Sequence, residues 1–112
     1  MKLITAIIRP YKRDDLEPAV ARLGGQGMTG TGVQGYGRQR GHSEIYRGAE
    51  YAVNFVPKVK LEIAVSDAMA EQVVDTIAKT AKTDKIGDGK IFVLDLEHAV
   101  SVRTGETDDN AL

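Results

Sequence analysis

Hydrophobic positions along the chain change period several times, and each change marks an element. Leu3 to Ile8 is an unbroken aliphatic and β-branched run that stops at Arg9-Pro10, which predicts a buried strand. The spacing then lengthens: Leu16, Val20 and Leu23 recur at helical intervals. Asp14 with Glu17 three residues on reads as a capping box, and Pro18 falls in the first turn, where few backbone bonds are lost. Gly24-Gly25 and Gly27 end this helix. Met28 to Tyr36 predicts a second strand, thinned by Gly30, Gly32 and Gly35, and glycine inside a strand marks close approach of another backbone or a ligand. Val59 to Val65 alternates as a third strand after Pro57. Ser66-Asp67 caps a second helix with Met69, Val73, Val74, Ile77 and Ala81 on its apolar stripe and with Asp67 and Glu71 near its positive end. Ile91 to Leu94 is the fourth strand, Ala99 to Val102 a short edge strand, and Gly105 to Asn110 a polar, mobile tail.

This order, βαβ then βαβ, predicts an α+β ferredoxin-like double βαβ sandwich with both helices on one sheet face. The other face carries Ile and Val with nothing in the chain to cover it, which implies self-association. Residues 36–55, between strands two and three, fit neither a helix, because Gly37, Gly41 and Gly48 interrupt it, nor a strand, because apolar residues do not alternate until Tyr51-Val53-Phe55. What remains is a loop of about 15 to 19 residues, longer than compact domains tolerate without a functional reason. Its arginines and tyrosines suggest a contact surface.

Composition narrows the classes. The chain of 112 residues fits one modest core. A net charge of -1 removes any global bias toward nucleic acid or membrane. The absence of cysteine excludes a thiolate metal site, a disulfide scaffold and a Cys nucleophile, and fits a reducing compartment. The apolar start is too short for a secretion signal and no segment approaches a membrane span, so the expected location is cytoplasmic.

Candidate chemistry concentrates in residues 82–90. In Thr83-Asp84-Lys85-Ile86-Gly87-Asp88-Gly89-Lys90 the glycines allow backbone N–H groups to face an anion, and Lys85 and Lys90 add charge. The spacing is not that of a Walker A loop, and an ordinary turn with glycine at its φ-demanding positions reads equally well. Arg103 and Arg38 read either as phosphate contacts or as solvated surface arginines, and Glu62 as a solvent-facing sheet residue. His42 and His98 lack metal-ligand spacing, and His42-Ser43-Glu44, being consecutive, is not a nucleophile–base–orienter arrangement. Tyr51 reads either as an exposed tyrosine or as a modifiable hydroxyl. Anion-ready loops without an evident base or nucleophile point to binding a nucleotide rather than turning it over. A nucleotide-hydrolysing or transferring enzyme on the same fold is the alternative. Near-neutral charge and the lack of paired strand aromatics argue against nucleic acid.

Two segments, Tyr46-Arg47-Gly48-Ala49-Glu50-Tyr51 and Thr83-x-x-x-Gly87-Asp88-Gly89-Lys90-Ile91-Phe92-Val93, resemble the two characteristic motifs of the PII nitrogen-regulatory signal transduction proteins. Gly35-x-Gly37-Arg38-Gln39-x-Gly41-His42, Phe55-x-Pro57-Lys58-Val59-Lys60 and Arg103-Thr104-Gly105-Glu106 match as well, so the resemblance covers the chain end to end. The Met1-Lys2-Leu3 start and Asn54 lean toward the branch paired with ammonium transporters. The resemblance implies a homotrimer with nucleotide sites between subunits, where ATP and ADP compete. Ile7, Gly35, Glu62 and Ala64 of one subunit would surround the adenosine with Gly27, Met28 and Thr29 of its neighbour. Gly37, Arg38, Gly87, Asp88, Gly89, Lys90 and Arg103 would hold phosphates. Gln39 would contact Mg²⁺, and 2-oxoglutarate would chelate that ion beside ATP, among Gln39, Arg40, Gly41, Lys58 and Gly87. Residues 36–55 would be the effector loop, with Arg47 and Tyr51 meeting partners and Tyr51 open to a nucleotidylyltransferase. The partners implied are an ammonium transporter, through which alone the protein would meet a membrane, and nitrogen-assimilation enzymes or their regulators. Residues 98–112 would form a C-terminal loop and tail.

The sequence departs from the family pattern at two telling positions. Ser101 stands where most members have a phosphate-binding arginine, and Asp84 where they have glycine. One cation fewer and one anion more near the phosphates should weaken ATP binding or tilt the ATP/ADP balance. Arg40 for the usual lysine is mild, and Gly30 and Gly32 replace larger strand residues.

Overall fold

A computed structural model of the chain describes residues 1–24, 27–36, 43–46, 49–52 and 55–112. Its elements run β1 (Lys2–Ile8), a 3₁₀ turn (Pro10–Lys12), α1 (Arg13–Ala21), β2 (Thr29–Gly35), β3 (Ser43–Tyr46), β4 (Ala49–Ala52), β5 (Val56–Val65), α2 (Asp67–Ala81), β6 (Gly89–Asp95) and a second 3₁₀ turn (Asp108–Ala111). The main sheet has the order β2-β5-β1-β6 with every neighbouring pair antiparallel. Each βαβ unit therefore straddles a strand of the other, and the fold is the ferredoxin-like α+β sandwich.

Alternation along the central strands explains why this sequence makes two unlike faces. Ile4, Ala6 and Ile8 of β1 and Val59, Leu61, Ile63 and Val65 of β5 point to one side and are buried. Leu16 and Val20 of α1 and Val73, Ile77 and Ala81 of α2 close over them. Complete burial of an aliphatic side chain of this size stabilises the fold by about 1.5–3 kcal/mol, so this layer fixes the register. A slip by one residue would turn Ile4 and Ile63 out and Thr5 and Glu62 in.

The opposite face follows from the same register. Leu3 pairs with Ala64 and Leu94, Thr5 with Glu62 and Phe92, and Ile7 with Lys60 and Lys90. Phe92 and Leu94 remain about half exposed there. No helix of the described chain covers this face.

Several boundaries differ from the sequence-based expectation. Helix α1 begins at Arg13, with Lys12 before it and no side-chain cap, so Asp14 and Glu17 do not form a capping box. The Pro10–Lys12 turn leads straight into the helix, and Pro18 consequently sits inside it rather than in its first turn. Ser66 precedes α2 in extended geometry without a side-chain cap bond, and its carbonyl instead accepts from the Met69 N–H at 3.1 Å. Strand β5 begins at Val56 and contains Pro57. The prolyl ring is tolerated because β1 pairing stops at Val59, so β5 is bonded only to β2 there. The stretch read as an unbroken loop contains a two-stranded antiparallel ribbon, β3 on β4, with Ser43 opposite Ala52 and Tyr46 opposite Ala49. At its base the Tyr36 and Phe55 rings lie 6.1 Å apart and tilted by 51°.

The C-terminal segment is built rather than loose. Only one β-bridge, Val100 with Thr107, stands where an edge strand was expected. Around it, Ser101 N–H donates to Glu106 O and Gly105 N–H to Ser101 O, both at 2.8 Å. Asp108 accepts from the Ala99 N–H at 3.2 Å and lies 2.8 Å from His98 Nδ1. Polar side chains and backbone bonds hold this turn, so composition alone reads it as a tail.

Candidate functional site

The loop between α2 and β6 is shaped by one carboxylate. Asp88 Oδ2 accepts the N–H groups of Thr83 at 2.7 Å and Asp84 at 2.9 Å. Its Oδ1 accepts the Thr83 hydroxyl, and Arg9 Nε at 3.0 Å. Hydrogen bonds from Thr83, first its hydroxyl and then its amide, hold the Asp88 carboxyl well below the usual carboxylate range, with Arg9 and the Asp84 N–H adding to this. Asp88 is thus the organiser of the loop. Its side chain is engaged with the loop and Arg9, so any contact of Asp88 with an anion would have to come from its backbone. A carboxylate on a phosphate would in any case repel it.

Two cations hold the carbonyls of the same loop. Arg9 Nη2 donates to Ile86 O at 2.9 Å, and Lys58 Nζ donates to Gly87 O. Lys58 is only 5 % exposed. Its pKa is lowered, chiefly by burial and next by the neighbouring Arg9. The glycines are geometrically required. Gly87 and Gly89 have φ of 102° and 110°, and a Cβ on Gly89 would lie 1.7 Å from Ile7 O, inside a backbone atom of β1.

A cleft of about 450 Å³ opens beneath this loop. Lys85 to Lys90 form one wall, Ile7 and Phe92 the sheet floor, and Gly35, Tyr36 and Lys58 the far side. It joins an apolar floor, two or three cations and a glycine-rich backbone, the combination that suits a flat or aliphatic group carrying anions. A second cleft of about 460 Å³ lies further along the open face, between Leu3, Gly27, Thr29, Glu62 and Ala64, with Ala111 and Leu112 at its rim.

The sequence-derived residues divide among these places. Ile7, Gly35, Lys58, Gly87, Gly89 and Lys90 meet in the first cleft, where Asp88 also contributes to the wall. Glu62, Ala64, Gly27 and Thr29 meet in the second. Met28 packs toward the helix layer with Arg13, Glu17 and Leu61 and reaches neither. Arg103 and Ser101 belong to the C-terminal turn and line neither cleft. Gly37, Arg38, Gln39, Arg40, Gly41 and Arg47 lie outside the described residues, and Tyr51 is placed only as a backbone position in β4. Among the described residues, no group of three or more His, Asp or Glu is placed to hold a metal ion. The ligand-site residues implied by the resemblance leave out Arg9, Tyr36, Ile86 and Phe92. Only strand register could have shown that Arg9, at the end of β1, abuts the loop that feeds β6, and hydrophobic spacing does not encode register between distant strands.

Asp84 lies in the same loop. Its carboxylate pairs with Lys82 at 3.2 Å, is 77 % exposed and does not line the first cleft. Within this chain its charge is turned to Lys82 rather than into the cleft. What Asp84 costs is conformational: φ is +66° at a residue with a Cβ. Left-handed backbone costs an L-residue about 1 kcal/mol, somewhat less for aspartate. Asp84→Gly should therefore raise folding stability by up to about 1 kcal/mol in urea denaturation, with nucleotide affinity unchanged. A stability loss would show that the Lys82 pair outweighs the strain.

Comparison with known proteins follows the same lines. A family model described as "Nitrogen regulatory protein P-II" matches residues 1–106. The "Nitrogen regulatory protein P-II" of Rhizobium etli is 57% identical over 112 residues, covering 100% of both chains. The "Nitrogen regulatory protein P-II 1" and the "Nitrogen regulatory protein GlnK" of Escherichia coli strain K12 are 58% and 54% identical, again over the full length of both chains. The GlnK match is consistent with the branch suggested by the N-terminus, and the identities are too close to separate the two names.

Proposed function

The chain belongs to the nitrogen regulatory protein P-II family, and we propose that it signals nitrogen status as a homotrimeric sensor of ATP, ADP and 2-oxoglutarate. Its role is regulatory, the word the relatives' names carry, and not enzymatic. The observation that carries the ligand reading is the first cleft: glycine backbone at positive φ beside Lys58 and Lys90 over an Ile7–Phe92 floor. The floor suits a base or sugar, the loop and lysines suit phosphates, and a dicarboxylate beside them needs further cations.

Separation of the remaining residues supports assembly. Glu62, Ala64, Gly27 and Thr29 form a second cleft on the same uncovered face, and Arg103 stands apart in the C-terminal turn. A site completed by a neighbouring copy would bring one chain's first cleft against the Met28–Thr29 and Arg103 regions of another. The half-exposed Phe92 and Leu94 would be covered in the same step. In the complete site, Gly37 and Arg38 would add phosphate contacts. Mg²⁺ held by Gln39 would bridge nucleotide oxygens and 2-oxoglutarate near Arg40 and Gly41.

The effector segment, residues 36–55, would carry the output. Its base joins the cleft through Gly35 and Tyr36, so ligand state can favour one conformer over another by differential affinity. Arg47 and Tyr51 would face an ammonium transporter, nitrogen-assimilation enzymes or their regulators, and Tyr51 a nucleotidylyltransferase. Among the described residues no helix is long and apolar enough to cross a membrane, and we assign the protein to the cytoplasm.

Ser101 provides the direct test. It lacks the charge that would reach phosphates across the subunit boundary. Ser101→Arg is expected to tighten ATP binding about tenfold in titration calorimetry, the value of one charge-assisted contact. Equal affinities would remove position 101 from the site, and no binding by either protein would reject the nucleotide reading.

A further inference from the structure

Arg9 is the cation best connected to the loop, and no role for it follows from the family resemblance. Its guanidinium spans two acceptors at once, the Asp88 carboxylate at 3.0 Å and the Ile86 carbonyl at 2.9 Å. It does not line the first cleft, whereas Ile86 and Gly87 do. We infer that Arg9 is a positioning residue for the anion-binding loop, fixing the direction of the Gly87 N–H by holding the Ile86 carbonyl. The inference rests on the reading of this cleft as an anion site.

The physical argument starts from the peptide unit. Among the described residues no peptide bond is cis, so across the planar 86–87 unit the N–H points opposite to the C=O. With Ile86 O drawn to Arg9, the Gly87 N–H is directed away from Arg9. The Asp88 N–H to Lys85 O bond at 3.3 Å closes a turn around this peptide, but both orientations of the central peptide, type I and type II, share that bond. Gly87 at φ 102° has no Cβ to resist rotation of the peptide. The selection comes from β1, whose ladder holds Ile8 opposite both Val59 and Gly89 and so sets the backbone from which Arg9 extends. Asp88 completes the device by receiving Arg9 Nε on the same oxygen that accepts the Thr83 hydroxyl. A guanidinium serves both acceptors through its rigid fork, and an ammonium has no such fork.

The test uses Arg9→Met, Arg9→Lys and Asp88→Asn in the full chain, well below their melting temperatures. The amide resonance of Gly87 is followed in ligand-free protein, and ATP affinity is followed by calorimetry at several salt concentrations. Arg9→Met is expected to shift and broaden the Gly87 resonance and to weaken ATP about tenfold, the scale of one lost charge-assisted hydrogen bond. The salt dependence should match that of the unmodified protein, since Arg9 would not touch the ligand. Arg9→Lys should fail to restore either property, and Arg9→Met should add little in an Asp88→Asn background, as expected for groups acting as one unit. An unchanged Gly87 resonance, or full rescue by lysine, would overturn the inference. So would losses that add in the double variant with a flatter salt dependence, which would make Arg9 a direct ligand contact. If the unmodified protein binds no ATP, the anion-site reading fails, and the Gly87 resonance alone still decides the role of Arg9.

Discussion

Gly89→Ala is expected to cost about 3 kcal/mol of folding stability, at the upper end of single backbone strains. Two independent effects meet at this position. Its φ of 110° lies where side-chain-bearing residues rarely go, and the added Cβ would sit 1.7 Å from Ile7 O. That oxygen belongs to the central strand and cannot rotate aside like a side chain. Either β6 detaches from β1 at the Ile8–Gly89 pair, or the loop lifts. Both distort the wall of the first cleft, so ATP affinity should fall by about a hundredfold, the equivalent of a similar free energy. Urea denaturation and calorimetry measure the two losses. An alanine variant that folds and binds like the unmodified protein would mean that the close approach of loop and strand is wrong.

Lys58→Met should separate stability from function. The ammonium is buried beside Arg9, and its pKa is lowered for that reason. A lysine whose folded pKa lies below the unfolded value of about 10.4 binds its proton less well in the native state. It therefore opposes folding fully below the folded pKa, and the penalty fades as pH rises from there to the unfolded pKa. Methionine keeps the stem and removes the penalty, while leaving Gly87 O without this donor. These opposed terms should leave stability at pH 7 within about 1 kcal/mol of the unmodified protein. Binding of 2-oxoglutarate has no such compensation. Losing the charged donor should cost tenfold or more in affinity, from a contact worth about 1.5–3 kcal/mol. Denaturation at pH 7 and pH 10 with calorimetry at pH 7 checks both. A large stability loss without a binding loss would make Lys58 a structural strut only.

The sandwich itself was legible because burial writes itself into spacing. The aliphatic run of β1, the alternation of β5 and the stripe of α2 record which segments face the core, and connection order then leaves few topologies. The β3–β4 ribbon carries no such record. Its ladder is backbone pairing between Ser43–Tyr46 and Ala49–Ala52, and along neither segment do apolar and polar residues alternate. The C-terminal turn was missed for a related reason, since its bonds run through polar groups such as Asp108 and Ser101. In the candidate site, Gly87, Gly89 and Lys90 were visible as residue types, but their framework was not. Arg9 and Asp88 are 79 positions apart, and only the β1–β6 register brings them together. Asp84 shows the converse: its charge suggested an electrostatic effect on the ligand, and the structure turns that charge outward to Lys82.

The amide spectrum of the labelled protein, titrated with Mg–ATP and then with 2-oxoglutarate, tests the sensing claim most directly. The account predicts that Mg–ATP moves Gly87, Gly89 and Lys90 most, and that 2-oxoglutarate shifts Lys58 and Gly87 only once Mg–ATP is present. Shifts confined to the helix layer, or binding of 2-oxoglutarate at full strength without nucleotide, would contradict it.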